Sequence, residues 1–474
     1  GLANLHNARK GRGPVLNIVG DHATHHVKYD AQLQSDIETV ARNVSPGFVR
    51  TSQSTAALAQ DATDALTGAR GLPRQVATLI LPADVSWSEG GAHCPPAPPA
   101  QPASADDATI AQIAALMRTG DQVALLLGGH ALREAGLMAA ARIATHTGAQ
   151  LFAECFPTRM ERGAGLPGVE RIAYLAELAG VQLAPFRHLV LVDAKSPVSF
   201  FAYPGKKSDL VPEGCAVHTL ASPAQDAAAS LQALARALGA DGATPALRTA
   251  RRPVRPTGRL TAPKACKAIG HLLPERAIVI DEAIPSGLML GVMTAGSPRH
   301  DRLALTGGAI GQGLPNAVGA AIACPDRPVL ALVGDGSAMY SLQALWTMAR
   351  EQLDVTAIIF NNASYSVLNV ELERVGARGE VGSKARAQLD LGGPALDFAR
   401  LAQGMGVHAA RADSAEAFCT ALEYALAQPG PHLIEALVPE SLAGAKRRVL
   451  PWMLRALPSL PPQVAQAIKR KIAP

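Results

Sequence analysis

The sequence is poor in aromatic and charged residues, which make up 4% and 18% of its 474 positions. It has no C-x-x-C pair, and its six cysteines are scattered: Cys94, Cys155, Cys215, Cys266, Cys324 and Cys419. This pattern argues against a disulfide or zinc framework and indicates reduced thiols, so we expect a cytoplasmic protein. No apolar run approaches the roughly 18 residues of a membrane-spanning helix, and no signal peptide is recognisable.

Apolar residues, by contrast, are abundant, at 48% of the chain. This content indicates a well-buried globular protein, and the length predicts two to four domains. The net charge of +5 is small for this length. It gives no reason to expect a nucleic-acid partner, and an anionic substrate or cofactor explains it equally well.

Two proline-rich stretches divide the chain, because proline is excluded from helix interiors and central strands. They cover residues 94–107 and 244–263. We therefore predict three domains, over residues 1–93, 106–243 and 260–440, followed by a basic tail over residues 441–474. For the tail we favour an arm that packs on its parent domain over contact with a membrane or a partner.

Within each predicted domain, short apolar strands alternate with helical patterns, which is typical of parallel sheets covered on both faces. The fold class is thus expected to be α/β, with three doubly wound parallel-sheet domains. The first domain is expected to be incomplete. The chain begins without methionine, in what reads as the middle of a helix, so we expect that the true N-terminus is missing.

Polar residues follow two apolar strands of the third domain. Asp335 follows "PVLALVG", and Asn362 follows "VTAIIF", 27 residues later. A helical pattern lies between them, so both should reach the same edge of one sheet. A carboxylate, an amide oxygen and a backbone carbonyl suit Mg²⁺, which leaves coordination positions for phosphate oxygens. The pair predicts a metal–diphosphate site, whereas "GDGS" alone is explained by a capped helix after a strand.

The G-D-G motif, followed after twenty-odd residues by N-N, resembles the cofactor-binding motif of thiamine-diphosphate-dependent enzymes. "GDGSAMYSLQALWTMA" resembles in particular the benzoylformate decarboxylase and acetolactate synthase branch. The resemblance covers essentially the whole chain, as pyrimidine-binding, central and diphosphate-binding domains. It implies that Asp335, Asn362 and the Ser364 carbonyl bind Mg²⁺. The other residues that it places around the diphosphate are Gly334, Gly336, Ser337 and Tyr365.

A second stretch, "LTGGAIGQGLPNAVGAAIA" at residues 305–323, resembles the G-G-x-x-G-x-x-L-P motif of the same family. The resemblance implies that the Gly308 carbonyl receives the cofactor's amino group. It also implies that Ile310 is the apolar wedge that keeps the cofactor bent. The alternative is a glycine-rich loop before a core helix. The stretch lacks G-x-G-x-x-G spacing, so it does not support a dinucleotide site.

The resemblance gives a weaker assignment of the substrate pocket. Val367 and Leu368 fit its apolar wall, and Gln32 and Leu33 lie near another apolar position. Glu371 stands where the benzoylformate enzyme has an aromatic residue, so the pocket is expected to be more polar, unless Glu371 lies on a solvated helix face. The family's activating glutamate matches no residue of this chain, so the catalytic residue is unassigned and we expect this chain alone to be inactive.

The leading interpretation is a thiamine-diphosphate- and Mg²⁺-dependent enzyme that acts on 2-oxo acids. The resemblance implies decarboxylation to an enamine, followed by protonation or by carboligation, and the sequence does not decide between them. One alternative is a cofactor-binding but catalytically silent subunit or paralogue. Because the family shares its cofactor between subunits, the resemblance also implies a homodimer or homotetramer.

Two further motifs have competing explanations. "GGHALREAG" at residues 128–136 could receive a phosphate of a flavin or nucleotide, but a tight strand–helix turn explains it better, so FAD is possible but not supported. His22, His25 and His26 resemble a zinc cluster. No cysteine or carboxylate set completes a tetrahedral site there, so we expect no zinc.

Overall fold

In a computed structural model of the protein, the structure describes residues 1–375, 382–440, 453–454, 456–457 and 460–472. Three sheets organise this part of the chain. The described residues divide into two compact units. The first unit comprises residues 1–105, 221–226 and 306–309, and the second comprises residues 106–220, 227–305 and 310–474.

The first unit is built on a parallel sheet of three strands in the order β1-β3-β2. The central strand, β3, is buried at six of its seven positions, as its unbroken apolar sequence predicts. The strands are β1 (Val15–Asp21), β2 (Val49–Thr51) and β3 (Val76–Pro82). The helices are α1 (Leu2–Lys10), α2 (Ile37–Val44), α3 (Thr55–Arg70) and α4 (Ala83–Trp87).

The second unit begins with a five-stranded sheet. Its strands are β4 (Val123–Leu127), β5 (Gln150–Ala153), β7 (Glu170–Arg171), β8 (His188–Val192) and β9 (Ala216–Ala221). They lie in the order β7-β5-β4-β8-β9, and the pairings from β7 to β8 are parallel. Its helices are α5 (Asp107–Met117), α6 (Glu134–Thr147), α7 (Ala176–Leu183) and α8 (Ala227–Leu238).

A seven-stranded sheet completes the second unit. Its strands are β6 (Met160–Arg162), β10 (Ile278–Glu282), β11 (His300–Ala304), β12 (Val329–Gly334), β13 (Val355–Asn361), β14 (His408–Ala412) and β15 (His432–Leu437). Their order is β14-β15-β13-β12-β10-β11-β6. Only the short edge strand β6, which comes from the middle of the chain, is antiparallel among these pairings.

The helices that follow α8 in the chain are short and numerous. They are α9 (Ala262–Leu272), α10 (Leu290–Met293), α11 (Gly313–Ala323), α12 (Asp335–Ala338), α13 (Ala344–Arg350), α14 (Ser366–Arg374), α15 (Ser383–Ala387), α16 (Phe398–Gly404), α17 (Ala415–Ala427) and α18 (Pro462–Ile472). In the basic tail, Leu454, Leu457 and Ala465 form an apolar cluster with Leu178 of α7. The described part of the tail therefore packs on the second unit.

The seven-stranded sheet is covered on both faces. Leu330 and Leu332 of β12 belong to one buried cluster, while Ala331 and Val333 belong to another. Since successive side chains of a strand point to opposite faces, the two clusters lie on opposite sides of the sheet. This arrangement confirms the predicted doubly wound α/β class. The domain boundaries drawn from the sequence stay a prediction. In the described part of the chain no helix is both long and apolar enough to span a bilayer.

Candidate cofactor site

The strand order of the seven-stranded sheet reverses between β10 and β12. From β10 the chain proceeds to β11 on one side, and from β12 it proceeds to β13 on the other. In open α/β sheets, ligands bind beyond the carboxyl ends of the strands at such a switch point. Two carboxylates are located there, because Glu282 is the last residue of β10 and Asp335 directly follows β12.

Asp335 is buried, with 4% of its surface exposed, and backbone groups hold both of its oxygens. Its Oδ1 accepts a hydrogen bond from the Gly336 amide at 2.8 Å, and its Oδ2 accepts one from the Asn362 amide at 2.9 Å. Burial raises the pKa of Asp335, and these amides act in the opposite direction. The parallel register, which pairs Gly334 with Phe360, brings the two ends of the motif together.

The two asparagines have different surroundings. The Asn361 side chain is engaged within the fold, since its Nδ2 donates to Glu435 at 2.7 Å and its Oδ1 accepts from the Ala363 amide at 3.2 Å. The Asn362 Oδ1 accepts only the Ser364 amide among the described residues, at 2.9 Å. An amide oxygen has two lone pairs, so Asn362 retains one acceptor position for a ligand.

The glycines beside Asp335 have different roles. A Cβ on Gly334 would meet only the Ser337 Oγ, at 3.9 Å, so this position leaves open space beside the carboxylate. A Cβ on Gly336 would lie 2.2 Å from the ring of Tyr365. Glycine is therefore required at position 336 by the packing of Tyr365, a reason that the sequence did not reveal.

Glu282 is a site residue that the sequence reasoning did not recognise. It is 1% exposed, and its two oxygens accept hydrogen bonds from the amides of Gly311 and Gly313, each at 2.6 Å, and of Gln312 at 3.3 Å. Burial raises the pKa of Glu282 to about 7, and the three amides oppose this change. Its position at the end of "AIVIDE", a strand of the same sheet, is the signal that could have identified it.

The glycine-rich segment is divided between the two units. Gly308 lies in the first unit, where Asn7 binds its neighbour: the Asn7 Nδ2 donates to the Ala309 carbonyl at 2.7 Å, and the Asn7 Oδ1 accepts from the Ala309 amide at 3.2 Å. Asn7 is 3% exposed, and nothing in the sequence indicated that it would hold the glycine-rich segment. Ile310, the predicted wedge, lies in the second unit and is half-buried.

The predicted substrate-pocket residues fall into two groups. Gln32 and Leu33 lie in the first unit and are exposed, Leu33 by 85%. Val367 and Leu368 lie on the first turn of α14 in the second unit, where Leu368 is 42% exposed. Leu33 and Leu368 present apolar surface, whereas Gln32 is polar, and the contact of these residues with a substrate stays a prediction.

Glu371 does not lie on a solvated helix face, so that interpretation is wrong. It is 8% exposed and accepts a hydrogen bond from the Tyr203 hydroxyl at 2.7 Å. Arg374 lies 3.3 Å from the Glu371 carboxylate, 2.8 Å from that of Glu177 and over the ring of Tyr203. This network explains why Glu371 can be buried, because a buried carboxylate requires charge and hydrogen-bond partners.

The competing motifs show no cofactor chemistry. The described residues contain no group of three or more His, Cys, Asp or Glu arranged to hold a metal. His22, His25 and His26 are among the residues that form no such group. In "GGHALREAG", the His130 amide donates to Asp193 at 2.8 Å, and a Cβ on Gly129 would lie 2.0 Å from that carboxylate. A carboxylate at this turn disfavours a phosphate, so the tight-turn interpretation is favoured.

Comparison with known proteins identifies relatives of this chain. The family profile "Thiamine pyrophosphate enzyme, C-terminal TPP binding domain" matches residues 290–436. A relative from Mycobacterium tuberculosis, "Putative acetolactate synthase large subunit IlvX", is 54% identical over 444 residues, which cover 94% of this chain and 85% of the relative. Benzoylformate decarboxylase from Pseudomonas aeruginosa is 41% identical over 131 residues, which cover 27% of this chain and 23% of that enzyme.

A solved structure shows the same fold. The thiamine-diphosphate-dependent 4-hydroxybenzoylformate decarboxylase of Rhodococcus jostii RHA1 superposes with a TM-score of 0.78 at 22% identity, over 92% of this chain and 85% of that one. The long match at 54% identity goes further and shows the family. The chain therefore belongs to the thiamine-diphosphate-dependent enzymes, in the branch of acetolactate synthase large subunits and benzoylformate decarboxylases.

Proposed function

We propose that this enzyme binds thiamine diphosphate through Mg²⁺ at the ends of β12 and β13, and that it decarboxylates a 2-oxo acid. The resulting intermediate is then protonated or joined to a second carbonyl compound. The observation that carries the proposal is the buried Asp335 carboxylate, held by two backbone amides with Asn362 beside it. The names of the relatives support the substrate class.

The residues at this edge fit a magnesium ion. Asp335 offers a carboxylate, Asn362 an amide oxygen and Ser364 a backbone carbonyl, which are the hard oxygen ligands that Mg²⁺ prefers. Among the described residues, the hydrogen-bond partners of the Asp335 carboxylate are the backbone amides of Gly336 and Asn362, with no cationic side chain among them. A buried carboxylate without a cation is costly, so this site favours a bound metal.

The remaining residues would hold and shape the cofactor. Thiamine diphosphate supplies, when bound, the electron sink for loss of CO₂ from a 2-oxo acid. Gly334 leaves space for a phosphate beside Asp335, and Gly336 and Ser337 follow in the first turn of α12. The ring of Tyr365 packs against Gly336. Ile310 would act as the wedge, since a β-branched side chain is stiff at χ1, and the Gly308 carbonyl would receive the amino group.

The substrate pocket is proposed to have an apolar wall. Val367 and Leu368 would form its wall, with Gln32 and Leu33 as further contacts. The Glu371 carboxylate is already bonded to Tyr203 and Arg374, so we propose that it fixes α14 in place near the pocket. A carboxylate used in this way is not available to a substrate.

The central test is the affinity for thiamine diphosphate, titrated in the presence of Mg²⁺ by calorimetry. Replacement of Asp335 by Ala removes the charged metal ligand, so we expect a loss of about 3 kcal/mol, or roughly 100-fold in affinity. The matched control is Asp326→Ala, which removes an exposed carboxylate paired with Arg276. Equal affinities for wild type and Asp335→Ala would refute the site.

The reaction is tested separately by a panel of 2-oxo acids with product identification, run on the full-length protein. Release of CO₂ with an aldehyde product indicates decarboxylation, and a longer hydroxy-ketone product indicates carboligation. Tight binding of the cofactor without turnover of any 2-oxo acid would support a catalytically silent paralogue instead.

We also propose that the enzyme is cytoplasmic. All six cysteines are free thiols, which supports a reducing compartment. Fractionation of cells that produce the tagged protein would test this, and recovery of the tagged protein outside the cytoplasmic fraction would contradict it.

A further inference from the structure

A cavity of about 620 Å³ lies in the second unit and has an unusual set of charges. Helix α6, the segment of residues 167–174 and the segment of residues 288–295, which contains α10, contribute to its walls. Five cationic side chains line it: Arg162, Arg171, Arg248, Arg302 and Lys469. None of them belongs to the proposed cofactor site.

Two of these five cations have carboxylate partners. Arg302 donates to Asp281 at 3.0 Å through its Nε, and both side chains are buried. Lys469, which is 4% exposed, forms an ion pair with Glu170. Within the described ranges, Asp281 and Glu170 are the carboxylates that pair with these five cations.

The other three guanidinium groups have no carboxylate partner among the described residues. Arg162 donates to the Gly291 carbonyl at 2.7 Å, while its Nε is buried without an acceptor. Arg171 forms no side-chain hydrogen bond or ion pair within the described ranges, and Arg248 lies exposed at the rim. The cavity wall therefore carries three more positive than negative charges.

Arg162 and Arg171 remain charged at neutral pH, although burial and neighbouring cations lower the pKa of each. Burial lowers the pKa of Arg162 to about 9, and the charges of Arg302 and Arg171 add to this effect. Burial also lowers the pKa of Arg171 to about 10. Uncompensated charges in a partly buried cluster are unfavourable, and a bound anion would relieve this cost.

The backbone is shaped to accommodate the guanidinium groups. A Cβ on Gly168 would lie 2.7 Å from the Nε of Arg248, and a Cβ on Gly291 would lie 3.4 Å from a nitrogen of Arg302. The rest of the wall is largely apolar and includes Val169 and Ile172. A cavity of this size, with apolar walls and a few convergent charges, has the character of a small-molecule site.

We propose that this cavity binds a small organic anion with at least two negative charges, of the phosphate-ester or polycarboxylate class. Arginine is suited to this role because its planar guanidinium binds carboxylate and phosphate through two parallel hydrogen bonds. The proposal does not depend on the function of the Asp335 site.

The test is calorimetric titration of the full-length protein saturated with thiamine diphosphate and Mg²⁺, which keeps the probes away from the Asp335 site. The probes are inorganic phosphate, 3-phosphoglycerate and tricarballylate. We expect one of the two organic anions to bind more tightly than phosphate, and the preferred one identifies the class. Binding should weaken as the NaCl concentration rises.

Arg171→Met should weaken this binding by at least tenfold, and Arg248→Met, a change at the exposed rim, should weaken it by several-fold. The matched control is Arg236→Met, which alters an exposed arginine of α8 outside the cavity. Because the Arg171 side chain has no hydrogen-bond or ion-pair partner in the part of the chain that the structure describes, its replacement should leave the melting temperature without anion unchanged or higher.

Several results would overturn the proposal. One is the absence of binding by both organic anions at millimolar concentration. Another is binding that persists unchanged in Arg171→Met and Arg248→Met. If Arg171→Met does not fold, Arg248→Met alone decides, since that side chain is exposed.

Discussion

At the scale of single residues, the site depends on which polar groups the fold already uses. Asn361 and Asn362 are adjacent and chemically identical, but only Asn361 is engaged by Glu435, which is fully buried. Asn362 retains a free acceptor position beside Asp335. The pairing of the strands is not evident from the sequence. It gives one asparagine a structural role and leaves the other for the proposed ligand role.

This difference predicts opposite effects of two alanine substitutions. Asn361→Ala removes one hydrogen bond from the buried Glu435, which still accepts from the Ala399 amide and from Arg411. The expected cost is about 1 kcal/mol, so the melting temperature should fall by roughly 2 °C. Asn362→Ala should change the melting temperature less but reduce the Mg²⁺-dependent affinity for thiamine diphosphate at least tenfold. Calorimetry and cofactor titration of both variants measure this, and the reverse pattern would move the metal ligand to Asn361.

At the scale of elements, Glu282 connects the end of β10 to the start of α11. Its carboxylate accepts the first free amides of that helix and of the preceding turn, where negative charge is favoured. The turn follows directly after Ile310, the proposed wedge. We infer that Glu282 holds this turn in position, which makes its protonation state relevant to the stability of the site.

The pH dependence follows from the direction of this change. Burial raises the pKa of Glu282 from 4.5 to about 7, so the folded protein holds the proton more tightly than the unfolded chain. Between these two values stability should therefore fall as the pH rises, by an amount on the order of 3 kcal/mol. Glu282→Gln cannot titrate, so from pH 5 to pH 8 wild type should lose several degrees more of melting temperature than the variant.

The control for this comparison is Glu275→Gln, at an exposed position just before β10. The melting temperature of this variant should follow that of wild type at both pH 5 and pH 8. A difference between wild type and Glu282→Gln that is equal at pH 5 and pH 8 would show that Glu282 keeps its ordinary pKa. The role of the carboxylate would then be hydrogen bonding alone.

The strand–helix alternation, together with the continuous apolar strands, was sufficient to predict the α/β class and the edge at which Asp335 lies. Three features were beyond the reach of the sequence. Gly336 is required by the ring of Tyr365, and Asn7 binds a segment about 300 residues away. Glu371 is buried by Arg374 and Tyr203. Each of these three features depends on contacts between residues that are far apart in the chain. The hydrophobic periodicity of the sequence gives no information about such contacts.

At the scale of the whole molecule, the family resemblance implies a cofactor shared between subunits, and we propose a homodimer or homotetramer. Light scattering after gel filtration at micromolar concentration should give at least twice the 49.1 kDa mass of the chain. Dilution should weaken cofactor binding together with assembly, since mass action links the two. A strictly monomeric protein that binds the cofactor with full affinity would exclude a shared site.

The central claim is that a metal–diphosphate site lies at the ends of β12 and β13. The most direct measurement is the anomalous scattering of Mn²⁺ in crystals grown with thiamine diphosphate, since Mn²⁺ also prefers oxygen ligands. We predict one peak about 2.0–2.3 Å from the Asp335 carboxylate, the Asn362 side-chain oxygen and the Ser364 carbonyl. A fully occupied cofactor whose metal peak lies away from Asp335 would contradict the account.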